Sequence, residues 1–330
     1  MSKVKWGILS TAQIGQKALI PAIENAENAE VVAIAGRNEN VYDVAKAFQI
    51  PTAYMNYEEL LKDENVDAVY IPLPNSLHKD WVVKAAEHGK HVLVEKPAGL
   101  NADEVQVMVD ACEKHNVKFM EAFMYQFHPQ HDLVKKFIAE GEIGDVSFIR
   151  SSFSFYLPGE DENIRLNPEL GGGTLYDVGC YALHSIRNIT GSEPVEVFVR
   201  GKKRAGSEVD TTVTGVMQLE NGIEAVFDSS FDVTFRTVYE VVGTKGTIEV
   251  PHAFRPDKNG HNGVVIVHKE DGSTQEHQVF GDQYKLQVEH FSESVRTGQT
   301  PSYTPEKIWR HAKAMDACFE SMKQNQPINL

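Results

Sequence analysis

The feature that most constrains this chain is a regular alternation of short apolar runs and helical patterns over roughly its first 120 residues. Segments 4–10, 30–36, 68–73, 91–94 and 118–122 read as strands. Between them, 14–26, 39–48, 57–63, 77–88 and 102–115 carry apolar residues at helical spacing. Strands that are apolar throughout, each followed by a helix, belong to a parallel sheet covered on both faces. Right-handed crossovers make such a sheet doubly wound, with ligands bound beyond the carboxyl ends of its strands.

After Pro129 the rhythm changes. A helix over 131–140 leads through Gly141 and Gly144 to a strand over 146–156, a Pro-, Glu- and Asn-rich loop, and a helix over 174–189. Period-two strand patterns then fill 195–203, 211–219, 224–232, 237–242, 247–250, 264–269 and 274–279. Asn221-Gly222 and Asp271-Gly272 fall between such strands, as hairpins prefer. Helices over 284–296 and 305–323 close the chain. The expected fold class is therefore α/β. A dinucleotide-type N-terminal domain over 1–124 precedes an α+β domain over 125–330 with a large, mostly antiparallel open sheet.

A net charge of −15 disfavours general affinity for nucleic acid or anionic membrane. No stretch is apolar for the length of a bilayer, and no signal-type apolar region follows Met1, so a cytoplasmic protein is expected. Cys112, Cys180 and Cys318 are too widely spaced for a metal or redox motif and suit small buried hydrophobes. No metal is expected, because neither clustered cysteines nor a His-x-x-x-His spacing occurs.

The first strand–turn–helix reads Ser10-Thr11-Ala12-Gln13-Ile14-Gly15. A dinucleotide fingerprint places glycines at the positions of Ser10, Ala12 and Gly15, so that backbone amides and a helix start meet the pyrophosphate. Alone, this degraded form is weak; its place in the first βαβ unit raises it. The second strand ends Gly36-Arg37-Asn38, with no acid to take a ribose hydroxyl. Arg37 suits a 2′-phosphate, which puts NADP ahead of NAD. Two further strand ends should face the same crevice. One carries Leu73, Pro74, Asn75 and His78, the other Glu95, Lys96 and Pro97. Asn75 and His78 also suit simple helix capping.

Pro74-Asn75-x-x-His78, Gly89 through Pro97, Glu121-Ala-Phe-Met-Tyr-Gln-Phe-His128-Pro129 and Gly171 through His184 together resemble one family. It is the glucose–fructose oxidoreductase / inositol dehydrogenase / rhizopine catabolism (Gfo/Idh/MocA) family of oxidoreductases. The likeness runs the whole length and is strongest to the branch of dimeric dihydrodiol dehydrogenases and 1,5-anhydrofructose reductases. Inositol dehydrogenases carry histidine where Tyr181 stands. The resemblance implies a Rossmann domain and hydride transfer between nicotinamide and a sugar or sugar-like carbonyl or alcohol. It implies Lys96 beside the nicotinamide and Tyr181 as proton donor or acceptor. Arg165 and Tyr284 are similar to positions that touch cofactor, and relatives form dimers or tetramers through the second sheet.

The residues add to this. Asp177, Tyr181 and His184 stand at i, i+4 and i+7, one face of a helix, after Gly171-Gly172-Gly173. A lysine cation near a phenol favours the phenolate and suits it to acid–base work. Asp177 would orient the lysine or a substrate hydroxyl, while His184 serves substrate or packing equally well. Phe153 and Phe155 read as sheet packing rather than a substrate box. Two other functions are compatible with the fold: a glycosidase that works by transient oxidation, and a non-catalytic dinucleotide-binding regulator.

Overall fold

The structure, a computed structural model, describes residues 2–159 and 163–330. The expected loop after residue 156 thus includes three positions, 160–162, outside the described residues. The chain forms two compact units, Met1–Phe123 with Tyr284–Ala312, and Met124–Gln283 with Lys313–Leu330.

In the first unit the elements alternate from the start. They run β1 (Val4–Leu9), a π turn (Gly15–Leu19) continuing as α1 (Ile20–Asn25), β2 (Ala29–Ala35), α2 (Asn40–Ala47), β3 (Thr52–Tyr54) and α3 (Tyr57–Lys62). Then come β4 (Ala68–Ile71), α4 (His78–Glu87), β5 (His91–Val94), α5 (Ala102–Lys114) and β6 (Phe119–Glu121). All six strands are parallel, in the order β3-β2-β1-β4-β5-β6. The order reverses between β1 and β4, which is where such a sheet opens a crevice at its carboxyl ends. β3 was not expected: its three half-buried residues carry too little pattern to read. Asparagine side chains cap two of these helices: Asn56 Oδ1 accepts from the Glu58 amide at 2.8 Å ahead of α3, and Asn101 Oδ1 from the Glu104 amide at 2.8 Å ahead of α5.

The second unit contains α6 (Pro129–Ala139), β7 (Val146–Ser154), and a π turn (Leu175–Gly179) leading into α7 (Cys180–Thr190). It continues through β8 (Pro194–Lys202), β9 (Thr212–Leu219), β10 (Glu224–Ser230), β11 (Arg236–Gly243), β12 (Gly246–Val250), β13 (Asn262–Lys269) and β14 (Thr274–Phe280). Helices α8 (Gln283–Thr297) and α9 (Pro305–Gln324) and a terminal β15 (Ile328–Asn329) finish the chain. The nine strands order as β14-β13-β12-β11-β7-β10-β9-β8-β15, with β7 and β10 the parallel pair. Asn221-Gly222 and Asp271-Gly272 join antiparallel neighbours, as their sequence suggested. Strand β9 shows the alternation, burying Val213, Gly215, Met217 and Leu219 while Thr214, Val216 and Gln218 face outward. Helix α7 lies on the buried side, where the Ser185 and Ser151 hydroxyls meet at 2.8 Å.

The sequence led us to expect one boundary after residue 124; the chain instead returns to the first unit for Tyr284–Ala312. Tyr284, Val288 and Phe291 form one buried stripe of α8. Phe291 packs on Trp6 with centroids 5.5 Å apart, and the Trp6 indole donates to Ser292 Oγ at 3.1 Å. All three cysteines are buried, and burial pushes the Cys112 and Cys318 thiols up to about 12. Among the described residues no helix is long and apolar enough to cross a membrane.

Candidate active site

The turn after β1 is made by a serine where a glycine would be usual. Ser10 has φ of 142°, a region L side chains rarely adopt, and its Oγ accepts from the Ala12 amide at 2.9 Å. Thr11 is half-buried and Gln13 and Ile14 are exposed beside it, at the start of the first helix. Small side chains at a helix start suit the close approach of a pyrophosphate. Holding a non-glycine residue there costs on the order of 1–3 kcal/mol. Ser10→Gly is therefore expected to leave stability within about 1 kcal/mol of the parent, since lost strain offsets lost hydroxyl bond and added chain entropy. Ser10→Val, β-branched and without the hydroxyl, should lower stability by about 2 kcal/mol. Urea unfolding of both variants checks this; equal midpoints for the two would contradict it.

Past β2, Gly36 is buried and packs so tightly that a Cβ would lie 2.9 Å from that of Val41. Arg37 follows, exposed, with its guanidinium charge near the buried Tyr57 phenol. Burial raises the phenol above its ordinary value, and the guanidinium opposes that rise.

After β4, Leu73 is buried, while Pro74 and Asn75 are half-buried around a 3-10 turn. His78 departs from expectation. Its ring is fully buried, with Nδ1 2.9 Å from the Pro97 carbonyl and Nε2 2.9 Å from the Leu73 carbonyl. Both nitrogens thus face carbonyls of the two turns, and the ring sits between those turns rather than reaching a ligand. Burial first, and the Lys96 charge in addition, hold His78 below the usual imidazole range. A neutral ring has one N–H, so it donates to one carbonyl at a time.

After β5, Glu95 and Lys96 are half-buried and the Lys96–Pro97 peptide is cis. The Glu95 carboxylate accepts from the Tyr70 hydroxyl at 2.5 Å and from the Lys96 amide at 3.3 Å. The first unit thus collects Ser10, Arg37, Asn75 and Lys96 at the carboxyl ends of adjacent strands. Tyr284 is buried at the start of α8.

In the second unit the approach to α7 is shaped by backbone. Gly173 has φ of 117°, and a Cβ on it would meet the Asp210 carboxylate. That carboxylate accepts from the Leu175 amide at 2.8 Å and so caps the helical start. Burial raises Asp210 above the usual carboxylate range, against the pull of the Leu175 and Thr174 amides. Tyr181 lies in an aromatic setting, with ring centroids 5.3 Å from Phe153, 5.6 Å from Phe254 and 5.9 Å from Tyr125. Its hydroxyl donates to Met124 Sδ at 3.4 Å. His184, also buried, meets the Tyr125 hydroxyl through Nδ1 at 2.5 Å.

The even i, i+4, i+7 face is interrupted, because Asp177 belongs to the π turn and carries the Arg165 guanidinium, Nε to Oδ2 at 2.8 Å. Arg165, expected at the cofactor, is exposed and ion-paired to Asp177. Phe153 packs as expected yet also touches Tyr181, and Phe155 packs on Phe231 at 5.3 Å. Sequence reasoning assigned no role to Met124, Tyr125 or Phe254. The 121–129 motif was the signal for Met124 and Tyr125, and Phe254 carried none.

Buried histidines also set an acid limit. Burial first holds His78, His91, His128 and His290 below the usual imidazole range. His131 lies well below it, its Nδ1 2.9 Å from the Tyr239 hydroxyl and its Nε2 3.0 Å from the Ala253 carbonyl. A depressed folded pKa means the unfolded chain takes up protons first as pH falls. Their contribution is complete above about pH 6.5 and declines below it, by up to about 1.4 kcal/mol per pH unit for each histidine. The urea midpoint should therefore drop clearly between pH 7.5 and 5.5; an unchanged midpoint would refute the assignment.

Comparison with known proteins agrees with this architecture. Residues 4–123 match the model of the oxidoreductase family with NAD-binding Rossmann fold, and residues 131–249 match the GFO/IDH/MocA C-terminal domain. The chain is 40% identical to D-xylose 1-dehydrogenase (NADP(+)) 2 of Haloferax volcanii, over 98% of this chain and 99% of that one. It is 34% identical to trans-1,2-dihydrobenzene-1,2-diol dehydrogenase of Xenopus laevis, over 75% of each. Among solved structures, a 3-ketoreductase from Actinomadura kijaniata in complex with NADP and TDP-benzene superposes with a TM-score of 0.91. That pair is 27% identical, over 97% of this chain and 98% of the other. With both domains matched and a relative this similar along its whole length, the chain belongs to the GFO/IDH/MocA family of NAD(P)-dependent oxidoreductases.

Proposed function

We propose that this enzyme transfers hydride between NADP, ahead of NAD, and a sugar or sugar-like carbonyl or alcohol. The observation that carries the reading is Lys96, set at the end of β5 in a turn whose backbone is held by side chains. Relatives that act on xylose, a 3-keto group and a cyclic diol support the substrate class. A nicotinamide bound there would supply or accept the hydride. Ser10 to Ile14 would hold the pyrophosphate, Arg37 the 2′-phosphate, and Leu73, Pro74, Asn75, Glu95 and Tyr284 would line the cofactor.

In reduction, the Lys96 ammonium hydrogen-bonds the substrate carbonyl oxygen and stabilises charge building there. Tyr181 releases its phenolic proton to that oxygen as the C–O double bond becomes single; oxidation reverses both steps. Asp177 with Arg165, and His184 with Tyr125, fix the helix that carries Tyr181 and offer hydrogen bonds to substrate hydroxyls. The outer face of the second sheet carries Phe198, Val216 and Val226 in cross-strand register, with Val216 47% exposed. Such a row suits self-association into a dimer or tetramer, to be checked by sedimentation. The buried cysteines and acidic charge accord with a cytoplasmic setting.

The deciding experiment scans pentoses, hexoses, keto-sugars and cyclic diols for nicotinamide absorbance change with NADP⁺ and NADPH. Turnover of one class supports the reading. Dinucleotide binding without turnover would point to a regulator, and aryl glycoside cleavage without net cofactor change to a glycosidase.

A further inference from the structure

Pro97 has no amide hydrogen, and the segment 95–98 leaves the strand ladder after the Glu95 amide bonds the Ile71 carbonyl at 3.1 Å. Three of its remaining backbone groups find side chains instead. The Lys96 amide reaches its neighbour Glu95, and the Pro97 carbonyl reaches His78. The Ala98 amide donates to Glu121 Oε1 at 2.8 Å. Glu121 ends β6, in register with Val94 of β5, and its side chain is only 1% exposed. Its other oxygen, Oε2, accepts from the Tyr303 hydroxyl at 3.1 Å. Tyr303 comes from the returning segment between α8 and α9, and its ring meets Phe123 edge-on at 6.1 Å.

A buried carboxylate is costly, and an apolar residue of similar volume would serve packing better. Its cost is offset only where the acceptor has work to do. We propose that Glu121 is a positioning residue for hydride transfer: with Tyr303 it anchors the Lys96-Pro97-Ala98 turn and so fixes where Lys96 presents its ammonium. The inference rests on Lys96 acting at the substrate carbonyl, as proposed above. It also gives a reason for the chain to return to its first unit, since Tyr303 supplies the second hydrogen bond to the clamp.

The test compares Glu121→Ala, Tyr303→Phe, Lys96→Met and the Glu121→Ala/Lys96→Met pair in the full-length enzyme. It uses the best substrate from the sugar panel, with NADPH affinity read by fluorescence. Glu121→Ala should lower kcat tenfold or more while the NADPH Kd stays within about threefold, because a displaced turn costs alignment rather than dinucleotide contacts. Tyr303→Phe should lower kcat severalfold. In the Lys96→Met background, Glu121→Ala should cost nothing further, since Glu121 acts through Lys96. If Glu121→Ala fails to fold, Glu121→Gln keeps an acceptor for the Ala98 amide, loses the charge, and should still lower kcat severalfold. A kcat within twofold of the parent, with only thermal stability reduced, would overturn the inference; so would a full additive loss on top of Lys96→Met. A fully active Lys96→Met enzyme would instead overturn the proposed role of Lys96 and leave the two failures distinguishable.

Discussion

Lys96→Met and Tyr181→Phe should each lower kcat by about 10²–10⁴-fold, the range expected for losing a positioned proton-transfer or charge-stabilising group. Methionine keeps much of the lysine stem and removes the ammonium. The turn around residue 96 is held through its backbone and by neighbouring side chains, so the fold should survive. Phenylalanine at 181 removes one oxygen and keeps the ring contacts with Phe153 and Phe254. The weak hydrogen bond to Met124 Sδ disappears from the structure, which is a small stability change. The NADPH Kd of both variants should therefore remain within a few fold of the parent. Steady-state rates under saturating substrate, set beside fluorescence titration of NADPH, separate the two quantities. If either variant keeps kcat within a few fold, the residue replaced is not part of the chemistry.

Arg37→Ala should raise the NADPH Kd about 10–100-fold and change the NADH Kd by less than about twofold, since a hydrogen bond to a charged group contributes roughly 1.5–3 kcal/mol. The guanidinium stands exposed just past β2, near the buried Tyr57 phenol. Being exposed, its pair with a 2′-phosphate should be screened, so added salt should narrow the gap between parent and variant for NADPH but not for NADH. Equal losses for both dinucleotides would show that Arg37 contacts the shared part of the cofactor.

The helix over 174–189 shows how far pattern reading extends. Its existence and its buried residues followed from the spacing of apolar positions, and Tyr181 and His184 are buried on it. Its first turn is π-helical, and Gly179 at the end of that turn comes so close to β10 that a Cβ would lie 2.8 Å from Ser229 Oγ. That contact is between residues fifty apart, and no local period announces it. The same holds for His78. Its position after a strand suggested a ligand contact, and only the folded turns show both ring nitrogens engaged with carbonyls. Glu121 and Tyr303 are 182 residues apart in sequence, and neither one alone suggests a clamp.

By itself, the sequence determined the alternating parallel half, the largely antiparallel half and the family. Each of these rests on short-range periodicity and on motifs whose residues lie close together in the chain. The tertiary structure alone decided the return of Tyr284–Ala312 to the first unit, the three-residue β3 and the side-chain anchoring of the Lys96 turn. The physical reason is that buried polar groups must find partners wherever the fold brings them, and those partners sit at sequence separations that hydrophobic pattern does not encode.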